Sequence, residues 1–294
     1  MEIARKIREK WTLLASLDAR LGRIQEALGR LENRQTIASG TTGLHKNEFR
    51  VFSQWGEDGI LQYLTREIGI REGIFIEFGV ETYVESNTRY LLVNNNWSGL
   101  VIDGDKSNVD YIRRDPIYWR HNLKAQCSFI TAENINELIS DNGIVGEVGI
   151  LSVDIDGNDY WVWKAIEVVD PIIVVAEYNA RFGPTDAVTI PYDPDFIRRV
   201  AHHSMIYYGA SLAALANLGR SKGYALVGCN SSGNNAFFVR RDKLPKVLPE
   251  LSPEQAYVRN QFREVRGING ELAFMDPIAE SALLANLPLV RVDG

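Results

Sequence analysis

The first 35 residues carry apolar side chains at alternating spacings of three and four, which is the pattern of one stripe along a long helix. The a positions of this heptad pattern are Ile7, Leu14, Leu21 and Leu28, and the d positions are Ile3, Leu17, Ile24 and Leu31, with Lys10 interrupting the d row. The stripe predicts a coiled-coil oligomerisation helix over residues 1–35 that self-associates through residues 3–31. Because leucine dominates the a positions and isoleucine appears at d, a dimer is not favoured over a trimer or a tetramer.

A single amphipathic helix lying on its own domain is the alternative interpretation of this stripe. It is less favoured, because the stripe is narrow and the other faces are rich in Arg, Glu and Gln. The stretch TIASGTTG is polar and rich in Gly, Ser and Thr, so residues 36–47 are predicted to be a linker. Residues 48–294 then form the third and largest unit.

Beyond the linker, continuous apolar runs alternate with helical patterns of about ten residues. Strands are predicted at GIFIEFG, SGLVIDGD, QCSFITA, GILSVDIDG and PIIVVAEYN, with a helix after each of the first four. Such strands predict a parallel sheet covered on both faces, a doubly wound α/β domain. The last pair, YALVGC and NAFFVRRD around the loop NSSGN, predicts an antiparallel hairpin.

Two helix starts are marked by capping residues. Ser86 is the expected N-cap of the helix in SNTRYLLVNNN, and Ser252, Pro253 and Gln255 have the spacing of a capping box with proline at the first helical position.

The carboxyl ends of the predicted strands are acidic, and in open α/β sheets the ligand lies across these ends. Asp103 ends the second strand, where a carboxylate accepts hydrogen bonds from both ribose hydroxyls. Gly79 lets the backbone approach a ligand closely. The turn FGVETYVES lacks the GxGxxG fingerprint of pyrophosphate binding, so a nucleoside without phosphates fits better than NAD or FAD.

Three interpretations compete for the motif DIDGND, which holds Asp154 and Asp156. A calcium loop is excluded, because Asp159 occupies the position that requires glycine and Ala165 the position that requires glutamate. A structural role, in which one aspartate caps the following helix, is the simplest interpretation. A reactive site is the third.

In the reactive interpretation, the fourth strand's carboxylates meet Glu177 and Asn179 at the end of the fifth strand. Asp156, Glu177 and Asn179 are then candidate ligands of a hard cation such as Mg²⁺, which would polarise an acceptor hydroxyl. Without a metal, Asp154 or Asp156 acts as the general base, because clustered anions raise its pKa.

Two further segments hold candidate residues with open alternatives. His202, next to His203, is a candidate base, although a packed helical histidine is the more common case. The segment SQWGEDG, with Gln54, Glu57 and Asp58, is either a capped helix start or a lid over the ligand.

Composition narrows the class of protein. The 294 residues have a net charge of −6 and a pI of about 5.4, which disfavours nucleic acid as a partner, although the first 35 residues alone carry +3. Cys127 and Cys229 are far apart in strand-like runs, so reduced thiols and a cytoplasmic location are expected. No apolar run is long enough to predict a transmembrane segment.

Residues 48–242 resemble the FkbM-like family of class I S-adenosylmethionine-dependent methyltransferases. The segments that carry the resemblance, in matching order, are FSQWGEDGIL, FIEFGVETYVESNTRYL, WSGLVIDGD, FITAENIN, LSVDIDGNDYWVW, YGASLAAL, GYALVGC and NAFFVRRD. The resemblance implies the class I sheet of five parallel strands with a terminal hairpin. One departure is Glu81, which stands where class I enzymes commonly have glycine.

The resemblance also implies S-adenosylmethionine as the cofactor. Its amino-acid part is expected near Glu77 and Gly79, its ribose at Asp103 or Asp105, and its adenine near Glu133. Gln54 and Asn87 complete the candidate cofactor residues.

The expected activity is O-methylation of a hydroxyl on a sugar, glycan or polyketide-like metabolite, with Asp154, Asp156 and His202 as candidate catalytic residues. Two alternatives stay open: a nucleotide-sugar or dinucleotide enzyme, and a catalytically silent scaffold recruited through the coiled coil.

Overall fold

A computed structural model describes residues 2–71 and 73–292. The α-helices are α1 Glu2–Ser39, α2 Glu57–Ile68, α3 Arg89–Asn95, α4 Lys106–Arg114, α5 Pro116–Arg120, α6 Ile135–Asp141, α7 Asp159–Ala165, α8 Arg198–Ala201, α9 Leu212–Ser221, α10 Pro253–Ala256 and α11 Pro277–Ala285. The strands are β1 Ile74–Phe78, β2 Ser98–Asp103, β3 Leu123–Cys127, β4 Gly146–Val153, β5 Val169–Glu177, β6 Val188–Thr189, β7 Tyr224–Cys229, β8 Asn235–Arg240 and β9 Val290–Arg291.

Seven of the strands form one sheet in the order β3-β2-β1-β4-β5-β8-β7. The first five strands are parallel, and β8 runs antiparallel to both β5 and β7. This arrangement confirms the predicted doubly wound α/β sheet with a terminal hairpin. Because strand order reverses between β1 and β4, a crevice opens there at the carboxyl ends of the strands.

Alternate residues of each central strand pack into two separate cores, one on each face of the sheet. Phe75 and Ile150 are paired in register and belong to one core, whereas their neighbours Ile76 and Leu151 belong to the other. All four side chains are fully buried. Burial on both faces explains why these strands are continuous apolar runs in the sequence.

Several predicted element boundaries are wrong, including the following three. The third strand ends at Cys127 instead of continuing to residue 132. The helix after β4 ends at Ala165, because Val169 already belongs to β5. Thr88, not Ser86, is the N-cap residue of α3, since the hydroxyl of Ser86 donates to Glu77. The capping box at Ser252 is confirmed, although α10 is a single turn.

The chain between β5 and α9 folds together with the C-terminal segment. Strands β6 and β9 pair antiparallel, and a small separate core of Ile190, Ile206, Tyr207, Val265 and Leu284 lies beside them. This unit packs next to the carboxyl ends of β4 and β5, where Asn179 donates to the backbone of residues 206 and 208.

Helix α1 continues to Ser39, past the predicted domain boundary at residue 35. Gly29 is buried against the folded unit. The approach is so close that a Cβ on Gly29 would lie 2.4 Å from Val51 and 3.1 Å from Tyr90. On the same side, Gln25 donates to the Val51 carbonyl, and Asn33 donates to Gln62. One face of α1 therefore packs on the folded unit.

The heptad stripe faces away from that contact. The members whose side chains are described, Leu17, Leu21, Ile24, Leu28 and Leu31, are each 44 to 64% exposed. The side chains of Ile3, Ile7 and Leu14 lie outside the part of the chain that the structure describes.

Among the described residues, none of the helices combines the length and the apolar character needed to span a bilayer. Cys127 is partly buried and Cys229 is buried, and both are free thiols.

Candidate active site

Two openings meet at the carboxyl ends of β1, β2, β4 and β5. The first, the strand-end crevice, has a volume of about 170 Å³ and lies between Asp103, Phe129, Asn158 and Phe196. The second, the carboxylate cavity, has a volume of about 540 Å³. The residues that line both openings are Gly79, Glu81, Asp154 and Asp156. A ligand in the crevice therefore reaches the cavity at Asp154.

The turn after β1 separates the two openings. Gly79 has a φ of +67°, and a Cβ on it would lie 1.9 Å from the carbonyl oxygen of Asp154, so only glycine fits there. Glu81 and Tyr83 also have positive φ, at 46° and 61°. The turn thus adopts left-handed backbone at Glu81 without the glycine common at that position in class I enzymes.

Asp103 is held by this turn at the mouth of the crevice. Its carboxylate accepts hydrogen bonds from the backbone N–H of Glu81 at 2.7 Å, from the N–H of Asp105 at 2.8 Å and from Asn108 at 3.0 Å. A carboxylate has about four acceptor positions, so one position stays open for a ligand hydroxyl. The structure therefore brings Asp103 to the expected place.

Two other predicted cofactor residues lie outside the crevice lining. Asp105 is the N-cap of α4: it accepts from the N–H and hydroxyl of Ser107, and these bonds hold its pKa below the usual value. Glu133 accepts a hydrogen bond from the hydroxyl of Tyr192, which lowers the pKa of Glu133. Both carboxylates are therefore engaged by neighbouring residues, and their contacts with a ligand stay predictions.

The walls of the crevice include residues that the sequence analysis missed. Phe129 follows β3, and Phe196 packs so closely on Gly157 that a Cβ there would lie 2.2 Å from the ring. Asn158 is 3% exposed, and its side-chain oxygen has no hydrogen-bond partner in the described chain. Flat rings and a free amide oxygen suit a heteroaromatic base.

Glu77 is buried and fully occupied by the chain itself. Its carboxylate accepts from the hydroxyls of Ser86 and Thr88 and from the backbone N–H of Asn87 and Thr88. Burial raises the pKa of Glu77, and these bonds oppose the rise. Glu77 therefore fixes the segment before α3, and Asn87, whose amide donates to Ser152 at 3.1 Å, lines the cavity beside it.

The SQWGEDG segment is held in place by its two acids, while Gly56, the N-cap residue of α2, makes no side-chain cap. Asp58 accepts from the N–H groups of Val51, Phe52 and Ser53 at 2.7 Å each, and burial raises its pKa to about 6. Glu57 accepts from the backbone N–H groups of residues 55 and 56 and from Asn230 and Asn235. The hydrogen bonds that Asp58 and Glu57 accept fix the backbone of the segment, while Gln54 and Trp55 line the carboxylate cavity.

Asp154 and Glu177 differ from Glu77, Glu57 and Asp58, because no hydrogen bond from the described chain reaches their side chains. Glu177 is 8% exposed, and its Oε2 is buried without a partner. Burial raises the pKa of each well above the usual value, and the negative charges of Asp156 and Asp159 add to both rises. Asp154 also raises the pKa of Glu177. The pair is therefore protonated more readily than ordinary acids.

The predicted metal ligands do not form a set. Asn179 donates to the carbonyls of Ile206 and Tyr208 and accepts from the N–H of Arg181, so its amide is fully used. The carboxylates that do cluster, with oxygens within 4.8 Å of one another, are Asp154, Asp159 and Glu177.

Asp159 has a structural role within this cluster. Its two oxygens accept from the N–H groups of Ile155 and Gly157, and burial raises its pKa to about 6. Asp154 and Glu177 are the members of the cluster that receive no donor from the described chain. Because Asn179 is used by the backbone and Asp156 lies outside the cluster, the residues do not form the expected Mg²⁺ site.

Asp156 is paired with a residue that the sequence analysis did not identify. Its φ is +57°, and its carboxylate lies 2.5 Å from a guanidinium nitrogen of Arg198. Arg198 also pairs with Glu264 at 2.5 Å, in a C-terminal region whose sequence carried little functional signal. The residues in these two contacts are 42 and 66 positions apart in the sequence, so no local sequence pattern predicts the contacts.

His202 does not reach either opening. Its Nδ1 bonds the hydroxyl of Ser204, and its ring lies 4.2 Å from that of His203. Burial and the neighbouring His203 lower the pKa of His202. His202 therefore stays a predicted base that does not line the crevice or the cavity.

No protein-family model matches the sequence, and no curated protein matches it either. Similar solved structures include the N-terminal domain of EvdMO1 with SAH bound, at 11% identity and a TM-score of 0.41, covering 71% of this chain and 94% of that chain. The O-methyltransferase from Bacillus cereus in complex with SAH is 16% identical, with a TM-score of 0.38 and coverage of 71% and 88%.

PKMT2 from Rickettsia typhi in complex with AdoHcy is 11% identical, with a TM-score of 0.31. The match covers 40% of this chain and spans 24% of the length of PKMT2. Similarities this weak carry no inference about function, so the function is argued from the site.

Gly79→Ala is expected to destabilise the protein by more than about 2 kcal/mol, because left-handed backbone costs about 1 kcal/mol and the new Cβ overlaps the Asp154 carbonyl. Gly69→Ala is the matched control: φ is +86° and no atom lies within 4 Å, so it bears the backbone cost alone. Urea unfolding measures both. Equal losses would show that the close approach at Gly79 is unimportant.

Proposed function

We propose that the protein is an S-adenosylmethionine-dependent methyltransferase that methylates a hydroxyl oxygen of a sugar, glycan or polyketide-like metabolite. One observation carries the proposal: the strand-end crevice, suited to a nucleoside, opens into the carboxylate cavity where Asp154 stands free of protein donors. A methyl donor and an acceptor placed in the two openings meet beside a carboxylate that can take a proton.

The residues of the crevice fit the adenosyl part of the cofactor. Asp103 offers one open acceptor position for a ribose hydroxyl, and Phe129 and Phe196 offer apolar faces for the base. The crevice has no glycine-rich pyrophosphate loop, which supports a phosphate-free nucleoside over a dinucleotide. When bound, S-adenosylmethionine supplies a methyl group on a positively charged sulfur.

Gln54, Trp55 and Asn87 line the carboxylate cavity, where they can contact the acceptor or the amino-acid part of the cofactor. Trp55 stacks on Phe262 with ring centroids 5.6 Å apart, and such aromatic faces suit the apolar faces of sugar rings. The lining holds many carboxylates and two arginines, of which Arg198 is paired with acids and Arg263 lies over the Phe274 ring, and this excess of negative charge supports a neutral acceptor over an anionic one.

Asp154 is the general base in this proposal. It accepts the proton of the acceptor hydroxyl as the oxygen forms its bond to the methyl carbon, and the carbon–sulfur bond breaks with its electrons staying on sulfur. Glu177 lies beside Asp154, with carboxylate oxygens within 4.8 Å of each other, and Asp154 raises the pKa of Glu177, so the titrations of the two groups depend on each other. The site otherwise contributes alignment of the reacting atoms.

Asp103→Ala is expected to weaken S-adenosylhomocysteine binding by about 10-fold to 100-fold, because a hydrogen bond to a charged group contributes about 1.5–3 kcal/mol. Asp105→Ala, which removes a helix cap but no crevice residue, should change affinity less than about twofold. Isothermal titration calorimetry at matched folded fractions measures both. Undiminished affinity in the Asp103 variant, or tighter binding of NAD, contradicts the cofactor assignment.

Asp154→Asn is expected to lower methyl transfer by about 100-fold or more, since it removes the base. The same change should raise stability at pH 8. The pKa of Asp154 in the folded state lies above its unfolded value of about 3.9. The fold therefore loses stability as the pH rises from about 3.9 through the folded-state pKa, because Asp154 ionises at a cost in the folded protein.

Release of S-adenosylhomocysteine with a panel of hydroxylated acceptors measures the activity, and urea unfolding at pH 5 and pH 8 measures the stability. Glu85→Gln is the control, because Glu85 lines the same cavity but pairs with Arg50. Full activity of the Asp154 variant would eliminate it as the base.

We further propose that the outward stripe of α1 binds a second copy of the chain. Two observations support this: the stripe residues are exposed, and the opposite face of the helix is occupied by contacts at Gln25, Gly29 and Asn33. Burying such side chains fully contributes about 1.5–3 kcal/mol each. Self-association through α1 can therefore leave the folded unit undisturbed.

Leu21→Lys with Leu28→Lys is expected to reduce the solution mass to that of a monomer, because each lysine places a charge in the helix–helix seam. Val145→Lys is the control, since Val145 is 66% exposed on the folded unit and far from α1 in sequence. Light scattering coupled to size exclusion measures the mass. A monomeric unmodified chain at micromolar concentration rules out this interface.

A further inference from the structure

We propose that Arg198 is the positioning residue of this site: it joins the loop after β4 to the C-terminal segment and supplies the positive charge beside Asp154 and Glu177. This inference rests on the function proposed above. It concerns the charge state of the acid pair and the position of the cavity roof, not contact with the reacting atoms.

The guanidinium of Arg198 uses each of its three nitrogens in a different direction. Nη1 pairs with Asp156 at 2.5 Å, Nη2 pairs with Glu264 at 2.5 Å, and Nε donates to the carbonyl of Met205 at 2.7 Å. Its carbon lies 3.7 Å from the centroid of the Tyr208 ring. With a side chain only 13% exposed, Arg198 has one well-defined position.

Glu264 links this contact to the roof of the carboxylate cavity. Its other oxygen accepts from Arg181 at 2.8 Å, and Arg181 also pairs with Glu280 in α11. The residues just before Glu264, Phe262 and Arg263, line the cavity. The position of the roof therefore depends on the Arg198–Glu264 pair, which only a forked, planar group can make together with the Asp156 pair.

Arg198 also faces the acid pair electrostatically. The anions near Asp154 and Glu177 are Asp156 after β4, Asp159 at the start of α7 and Glu77 on β1, with the neutral phenol of Tyr208 alongside. The same cavity is also lined by Glu81, Glu85 and Glu264. The cations near the pair are Arg198, Arg263 in the cavity lining and, behind Glu264, Arg181. The positive charge of Arg198 lowers the pKa of both Asp154 and Glu177 and so opposes the rise in pKa that burial causes.

These two effects of Arg198 can be separated by substitution. Arg198→Lys keeps the charge but loses the fork, whereas Arg198→Gln loses both. Arg199→Gln is the matched control, because it removes the same charge from the next residue of the short helix α8. The side chain of Arg199 is exposed. A merely structural Arg198 would affect Arg198→Lys and Arg198→Gln alike in every measurement.

The experiment is a pH titration of the ligand-free protein followed by ¹³C NMR of labelled Asp and Glu carboxyl groups, with Asp154→Asn and Glu177→Gln to assign the signals. The midpoint of the acid pair should move up by about one pH unit in Arg198→Gln, because a neighbouring cation is lost. It should stay near the unmodified value in Arg198→Lys and in Arg199→Gln.

Hydrogen exchange of residues 258–267 is measured on the same samples. Faster exchange is expected in Arg198→Lys and Arg198→Gln and not in Arg199→Gln, because the fork to Glu264 is lost in the first two. An unchanged midpoint in Arg198→Gln, or equal shifts in Arg198→Gln and Arg199→Gln, overturns the proposal. S-adenosylhomocysteine binding is measured separately, so failure of the proposed function is recognised independently of these outcomes.

Discussion

Carboxylates crowded at one edge of a parallel sheet have to be hydrogen-bonded, paired or protonated for the chain to fold, because a buried unpaired charge is costly. The local turns of this protein follow from that constraint. Glu77 shapes the segment before α3 through hydroxyl and amide donors, and Asp159 shapes the turn after β4 through two backbone amides. Asp103 similarly holds the turn after β1 through the Glu81 N–H. The frame of the site is thus built from its own acids.

The same constraint explains why distant segments close over the site. The guanidinium of Arg198 is only 13% exposed and so has to be paired: Nη1 pairs with Asp156 after β4, and Nη2 pairs with Glu264 of the C-terminal segment. Glu57 acts in the same way on the other side, where it accepts from Asn230 and Asn235 and so ties the start of α2 to the β7–β8 hairpin. The roof of the carboxylate cavity is therefore positioned by charge compensation more than by apolar packing.

The features that sequence predicted are those with a local cause. The strands are apolar runs bounded by turns, so their order and the terminal hairpin could be inferred, and strand ends alone pointed to Asp103 and Asp154. Phe129 and Ile130 were assigned to the third strand, since apolar residues that line a crevice have the same pattern as buried strand residues.

Other features depend on geometry that sequence does not contain. Asp103 and Asp105 are equivalent by composition, and only the backbone path makes one a crevice residue and the other a helix cap. The Arg198–Glu264 pair joins positions 66 residues apart and could not be predicted from either neighbourhood. Asp154, left without a donor, is conspicuous only once the partners of its neighbours are known.

Asn235 adds a third unsatisfied oxygen to those of Asp154 and Glu177, and it lies directly across from Glu177 in the β5–β8 register. Unsatisfied oxygens of this kind are stabilised by a ligand that brings donors, at about 1–3 kcal/mol for each buried group satisfied. A hydroxyl compound meets that requirement and an anion does not, which is why the acceptor proposed here is an alcohol.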